Sequence, residues 1–150
     1  MPLSEGHTAP DFDLENQDGH TVRLSDLRGT RVVLYFFPKA GTPGCTVQAC
    51  GIRDNRQRYE EVGAIVLGVS PDEPAKLREF ADAHDLPFTL LADPDHAVAE
   101  AYGVWVDKSS YRRSTFLIDA SGTITRIFAK VSPRTHDELV LEALGERVAA

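Results

Sequence analysis

Two cysteines, Cys45 and Cys50, stand five positions apart in the run Phe37-Pro38-Lys39-Ala40-Gly41-Thr42-Pro43-Gly44-Cys45-Thr46-Val47-Gln48-Ala49-Cys50. A thiol does chemistry as its thiolate, so the first question is what would favour the anion. Thr42 has the residue type of a helix N-cap and Pro43 that of a first helical position, which predicts a helix starting here. Cys45 then falls in the first turn, where unpaired amides and the helix dipole favour negative charge. Cys50 sits on a different face of the same helix. Five residues along an ideal helix put the Cα atoms roughly 8–9 Å apart, whereas a disulfide spans about 4.4–6.8 Å. Either this pair never closes, or the first helical turns unwind to let it.

The elements around this run are those of an α/β chain. Arg31 to Phe37 is a continuous β-branched and aromatic run, and Ala64 to Val69 is a second. Both read as strands buried on two faces. Thr46 to Val62 lies between them as a crossover helix, so the unit is βαβ and its chemistry-bearing run follows the carboxyl end of the first strand. Phe12 and Leu14, then Val22 and Leu24, alternate with polar neighbours around Asn16-Gln17-Asp18-Gly19, the pattern of an N-terminal β-hairpin. Glu73 to His84 reads as a helix, Phe88 to Leu91 as a strand and His96 to Tyr102 as a short helix. Residues 115–118 and 123–128 flank the turn Asp119-Ala120-Ser121-Gly122 as a second hairpin. From Pro133 through Leu144 the spacing predicts a terminal amphipathic helix.

The chain has 150 residues, 42% hydrophobic and 26% charged, which suits one globular domain over 1–150. Asp and Glu outnumber Lys and Arg by 23 to 16, a formal charge of −7, so no basic field exists for nucleic acid or anionic lipid. Two cysteines are too few for a disulfide scaffold. Met1 to Phe12 lacks the charged and apolar regions of a signal peptide, and no apolar run approaches membrane-spanning length, so a cytoplasmic location with reduced thiols is expected. The five histidines, at 7, 20, 84, 96 and 136, follow no ligand spacing, and no metal is expected.

The run around the cysteines resembles a family. Pro38-x-x-x-Thr42-x-x-Cys45 is similar to the active-site motif of the peroxiredoxins, and Thr42-Pro43-Gly44-Cys45-Thr46-x-x-Ala49-Cys50 looks like their Q type, also called bacterioferritin comigratory protein. Ala9-Pro10-Asp11-Phe12, Gly68-Val69-Ser70, Tyr102-Gly103-Val104-Trp105 and Arg113-Ser114-Thr115-Phe116-Leu117-Ile118-Asp119 stand in the family's order, so the likeness covers nearly the whole chain. The resemblance implies a thioredoxin-like fold and the reduction of hydrogen peroxide and organic hydroperoxides without metal, flavin or other cofactor. Cys45 would be the peroxidatic cysteine, oxidised to a sulfenic acid, and Cys50 the resolving cysteine that condenses with it to an intramolecular disulfide. Thioredoxin, or a glutaredoxin-like dithiol, would reduce that disulfide by exchange. Thr42 would hydrogen-bond the peroxide or thiolate, Pro38 would shield the sulfur from water, and Arg113, in its Arg-x-Thr-Phe register, would stabilise the anion. Amides near Gly44 and Cys45 would complete the cradle. Members of this type are often monomers, and a dimer through the Trp105 to Tyr111 segment is the alternative.

The sequence departs from the family in two places. Val106 to Arg112 is shorter than the usual loop before the arginine, which bears on access of bulky hydroperoxides, and Ala40-Gly41 replaces acidic residues common before the motif. Several residues also have plainer readings. Cys50 could be a buried helix residue in a one-cysteine enzyme, Pro38 a strand terminator, and Gln48 part of a solvated face; Trp105 and Tyr102 read as packing residues. A disulfide oxidoreductase of the same fold would carry Cys-x-x-Cys, and a copper-binding chaperone would want cysteines three apart with a histidine. Neither pattern is present.

Overall fold

The computed structural model describes residues 3–106 and 110–145. The N-terminal hairpin is β1 (Asp13–Asn16) and β2 (Thr21–Arg23), paired antiparallel. Its turn is closed by the Asn16 side-chain oxygen, which accepts from the Asp18 and His20 amides at 2.9 and 3.0 Å. A short 3-10 turn, Leu24–Leu27, leads to β3 (Arg31–Phe36). The crossover expected between parallel strands is two helices, α1 (Pro43–Asp54) and α2 (Arg56–Glu61), broken at Asn55. Then come β4 (Ala64–Ser70), α3 (Pro74–His84), β5 (Thr89–Ala92) and α4 (Ala97–Ala101). A two-stranded hairpin, β6 (Trp105–Val106) with β7 (Ser110–Tyr111), was not apparent in the sequence pattern, and the residues between its strands lie outside the described ones. The chain finishes with β8 (Thr115–Ile118), β9 (Ile124–Phe128) and α5 (His136–Ala143). The last helix starts at His136, not Pro133, because Ser132 to Thr135 close a separate turn through Thr135 N–H to Ser132 O.

Seven strands form one mixed sheet in the order β2-β1-β5-β4-β3-β8-β9, with β3, β4 and β5 parallel at its centre and the flanking pairs antiparallel. Alternation along β3 divides the core. Val33, Tyr35 and Phe37 face Ile52, Tyr59, Leu77, Phe80, Val140 and Leu141 from α1, α2, α3 and α5. Val32, Leu34 and Phe36 face the opposite way, against Phe12, Leu24, Val98, Ala99 and Tyr102. Burial of each such side chain contributes about 1.5–3 kcal/mol, which makes β3 the spine that both helical layers share. No helix among the described residues is long and apolar enough to cross a membrane.

One buried carboxylate fixes the small hairpin. Asp93, just past β5, is fully buried; its carboxylate accepts the Val98 and Ala99 amides at 3.2 and 2.9 Å and the Tyr111 hydroxyl at 2.7 Å. It thus caps α4, whose own N-cap residue His96 has left-handed backbone and makes no side-chain cap bond. Asp93→Ala is expected to lower unfolding free energy by about 2–4 kcal/mol in urea denaturation, because two amides and a hydroxyl lose their acceptor. Tyr111→Phe, which leaves the cap in place, should cost only about 1 kcal/mol.

Candidate active site

Where β3 ends, the chain is strapped to its neighbours before it turns into α1. Phe37 N–H donates to Val69 O of β4 at 2.9 Å. Two residues past Pro38, the Ala40 amide donates to Asp72 Oδ2 at 2.7 Å, and the Ser70 hydroxyl donates to the same oxygen at 2.8 Å. The loop that carries Pro38 and Thr42 is therefore held by a carboxylate from the end of the adjacent strand. Pro38 and Thr42 are both half-buried in it.

Thr42 occupies the N-cap position of α1 with extended backbone, and Pro43 is the first helical residue. The Thr42 hydroxyl does not cap the helix, however. It donates to Lys39 O at 2.9 Å, closing the loop on itself. Helix geometry gives the amides of Gly44 and Cys45 no carbonyl one turn back within α1, so the helix start presents donors to an anion.

Cys45 is 1% exposed, in the first turn of α1. Arg113 reaches it from the head of β8, with Nη2 3.4 Å from the sulfur. The same guanidinium donates through Nη1 to Gln48 Oε1 at 2.6 Å. One planar cation therefore joins two residues a turn apart on α1. Its backbone is set by the sheet: Arg113 O accepts from Val131 N at 3.0 Å, and Ser114 O accepts from Phe36 N at 2.8 Å. Arg112, its neighbour, is exposed. Gly44 lets the guanidinium close in, since a Cβ there would lie 3.1 Å from Nη2 and 3.6 Å from Pro133 Cγ.

Gln48 does not lie on a solvated face. It is 1% exposed, held by Arg113, and its Nε2 is buried with no hydrogen-bond partner among the described residues. The sequence signal for this is weak, because the guanidinium that holds the amide lies sixty-five residues away in the chain. Pro133, whose Cγ lies beside Gly44, likewise reads in the sequence only as a helix start. Tyr35 belongs to the same core cluster as Cys45. Burial first, and the charge of the Cys45 sulfur second, hold its phenol well above the ordinary range, so it stays a neutral hydroxyl. Tyr102 and Trp105 are packing residues: the Tyr102 hydroxyl donates to Pro10 O at 2.6 Å, and Trp105 stacks on His96 at 3.7 Å between ring centroids. Cys50 is half-buried further along α1, and both cysteines are free thiols. The loop at 106–112, which the sequence reads as shortened, lies partly outside the described residues.

A buried thiol at a helix start, under a guanidinium fixed by the sheet, is an arrangement for thiolate chemistry. Residues 6–127 match the AhpC/TSA family. Peroxiredoxin Bcp of Escherichia coli is 49% identical over 152 residues, covering 97% of each chain. Peroxiredoxin Bcp of Bacillus subtilis is 42% identical, covering 97% of this chain and 98% of its own. Among solved structures, peroxidoxin BcpB from Mycobacterium tuberculosis superposes with a TM-score of 0.89 at 33% identity over 98% of this chain and 99% of that one. Peroxiredoxin Q from Xanthomonas campestris gives 0.84 at 30% identity over 89% of each. The chain belongs to the AhpC/TSA family and, within it, to the Bcp or Q-type peroxiredoxins, which are thiol peroxidases of the thioredoxin fold.

Arg113→Lys is the informative substitution at this site, because a single ammonium lacks the planar fork that reaches sulfur and amide together. Peroxide-dependent loss of the Cys45 thiol, followed by stopped flow, is expected to slow by at least about 100-fold with far-UV circular dichroism unchanged.

Proposed function

We propose that Cys45 is the peroxidatic cysteine and Cys50 the resolving cysteine of a peroxidase cycle contained in one chain. The observation that carries this reading is the 3.4 Å approach of Arg113 Nη2 to a sulfur in the first turn of α1. The Cys45 thiolate attacks one oxygen of the hydroperoxide and the O–O bond breaks. The sulfur takes that oxygen as a sulfenic acid, and the other leaves as hydroxide or alkoxide, protonated to water or alcohol. Arg113 and the amides of Gly44 and Cys45 stabilise charge as it spreads onto the oxygens, the Thr42 hydroxyl orients the peroxide, and Pro38 limits water at the sulfur.

Cys50 then attacks the Cys45 sulfenic sulfur. The S–O bond breaks, a disulfide forms, and the hydroxyl leaves as water with the proton that Cys50 gives up. An external dithiol of the thioredoxin or glutaredoxin kind supplies the two electrons and two protons that restore both thiols. Hydrogen peroxide and organic hydroperoxides fit the same chemistry, since only the O–O bond reacts. One solved relative, from Xanthomonas campestris, is described by its alkyl peroxide reduction activity. A monomer suffices for this cycle, and a reducing compartment such as the cytoplasm supplies its dithiol.

One equivalent of hydrogen peroxide added to the reduced protein is expected to remove both thiols and leave one intramolecular disulfide by mass. Unchanged thiols at high peroxide would overturn the assignment. Cys45→Ser should abolish peroxide consumption, and Cys50→Ser should accumulate a sulfenic acid on Cys45 that a dione reagent traps. Full turnover with thioredoxin in Cys50→Ser would instead make Cys50 structural.

A further inference from the structure

The two halves of α1 are held to the rest of the molecule in different ways, and the boundary between them falls beside Cys50. From Gly51 onward the ties are many and independent of the sulfur. The Asp137 carboxylate, 9% exposed at the start of α5, packs so closely on Gly51 that a Cβ there would lie 2.6 Å from its Oδ2. Tyr59 donates to Asp137 Oδ1 at 2.5 Å. Burial, followed by Asp137 itself, raises the Tyr59 phenol far above its ordinary range, so it remains a donor. Asn55 Nδ2 lies 3.4 Å from Asp137 Oδ2 and donates to Gly51 O at 2.8 Å. Arg53 Nη1 donates to His84 O at the end of α3 at 2.7 Å, and Ile52 is buried in the core. Before Gly51, the polar ties to the sheet run through Arg113, to Cys45 and Gln48.

We propose that Asp137 is a positioning residue for the resolving step: it anchors the Gly51 turn to α5, so that unwinding of α1 stops at Cys50 and only the Cys45 side travels. This rests on the Cys45–Cys50 reading above. The sulfenic acid carries no charge, so its formation weakens the Arg113 contact that orders the first half and leaves the second half untouched. Gly51 serves the boundary twice. It admits the carboxylate, and as the poorest helix former after proline it interrupts the propagation of helix from the anchored half. With one partner fixed, the effective concentration of Cys50 at the arriving sulfur is higher than it would be with both ends loose.

Two measurements test the role, on wild type, Tyr59→Phe, Asp137→Ala and Asp137→Asn. Amide hydrogen exchange on the reduced wild type should show residues 45–50 exchanging at least about tenfold faster than 52–55, a step that Tyr59→Phe and Asp137→Ala shrink to within about threefold. Stopped flow should show Cys45 oxidation within about twofold of wild type in every variant, while disulfide formation slows about three- to tenfold in Tyr59→Phe and Asp137→Ala, with a matching rise in sulfinic acid at high peroxide. Asp137→Asn, which keeps acceptor oxygen for Tyr59, should lie closer to wild type. If Asp137→Ala does not fold, Tyr59→Phe carries both measurements, since it removes one hydroxyl and no packing. Uniform exchange along α1 in wild type, or an unchanged rate of disulfide formation in Tyr59→Phe, overturns the positioning role alone. Failure of the wild type to form the disulfide overturns the resolving reading and the positioning role with it.

Discussion

The Arg113 guanidinium, bridging the Cys45 sulfur and the Gln48 side chain, is the contact on which the geometry of the site depends. It is the point at which the first turn of α1, at the end of β3, is joined to the head of β8. A planar cation with two donors in fixed relation can hold both groups at once, which a flexible point charge cannot. Its position follows from the sheet, because β3 is paired with β8 and the residues just before β8 hydrogen-bond to Phe36 and Val131. The sheet thus sets the distance between cation and sulfur before any substrate arrives.

The rest of the fold serves that distance from several sides. The parallel pair β3 and β4 brings Asp72 beside the loop after β3, where it takes the Ala40 amide and fixes the approach to the helix. The β6–β7 hairpin, tied down by Tyr111 on Asp93, delivers the chain to Arg113 two residues later. Gly44 and Gly51 mark two close approaches to the same helix, one by a guanidinium that a Cβ would crowd at 3.1 Å and one by a carboxylate that a Cβ, at 2.6 Å, would displace.

What the sequence made legible was local. The Asn16 to Gly19 turn, the β-branched runs of β3 and β4, and the Thr42-Pro43 helix start follow from residue type within a few positions, and each stands where pattern reasoning puts it. Fold class and the neighbourhood of Cys45 follow from the same signals joined to the family resemblance. The remainder depends on residues far apart in the chain. The break at Asn55 carries no proline or glycine of its own; there the Asn55 side-chain amide turns back to Gly51 O beside Asp137. Gln48 reads as polar surface until Arg113 is placed over it, and His136 and Asp137 read as polar positions within a helix begun at Pro133 until α5 packs on α1 and buries them. Strands of two residues, as in β6 and β7, are too short to leave a periodic signal.

On the reading proposed for the two cysteines, the same helical turns must satisfy opposite demands. Attack on peroxide needs Cys45 held still at a helix start, with its sulfur under the cation and the amides aligned. Disulfide formation needs those turns open, since the intact helix keeps the sulfurs beyond bonding reach. A helix stabilised by apolar packing alone would resolve this badly, because its stability would not know which step had occurred. Here part of the stabilising contact is electrostatic and belongs to the reacting atom itself. The Arg113–sulfur attraction is strongest for the thiolate and is weakened by the oxidation that ends its usefulness, so the chemical step lowers the cost of the conformational step that must follow it.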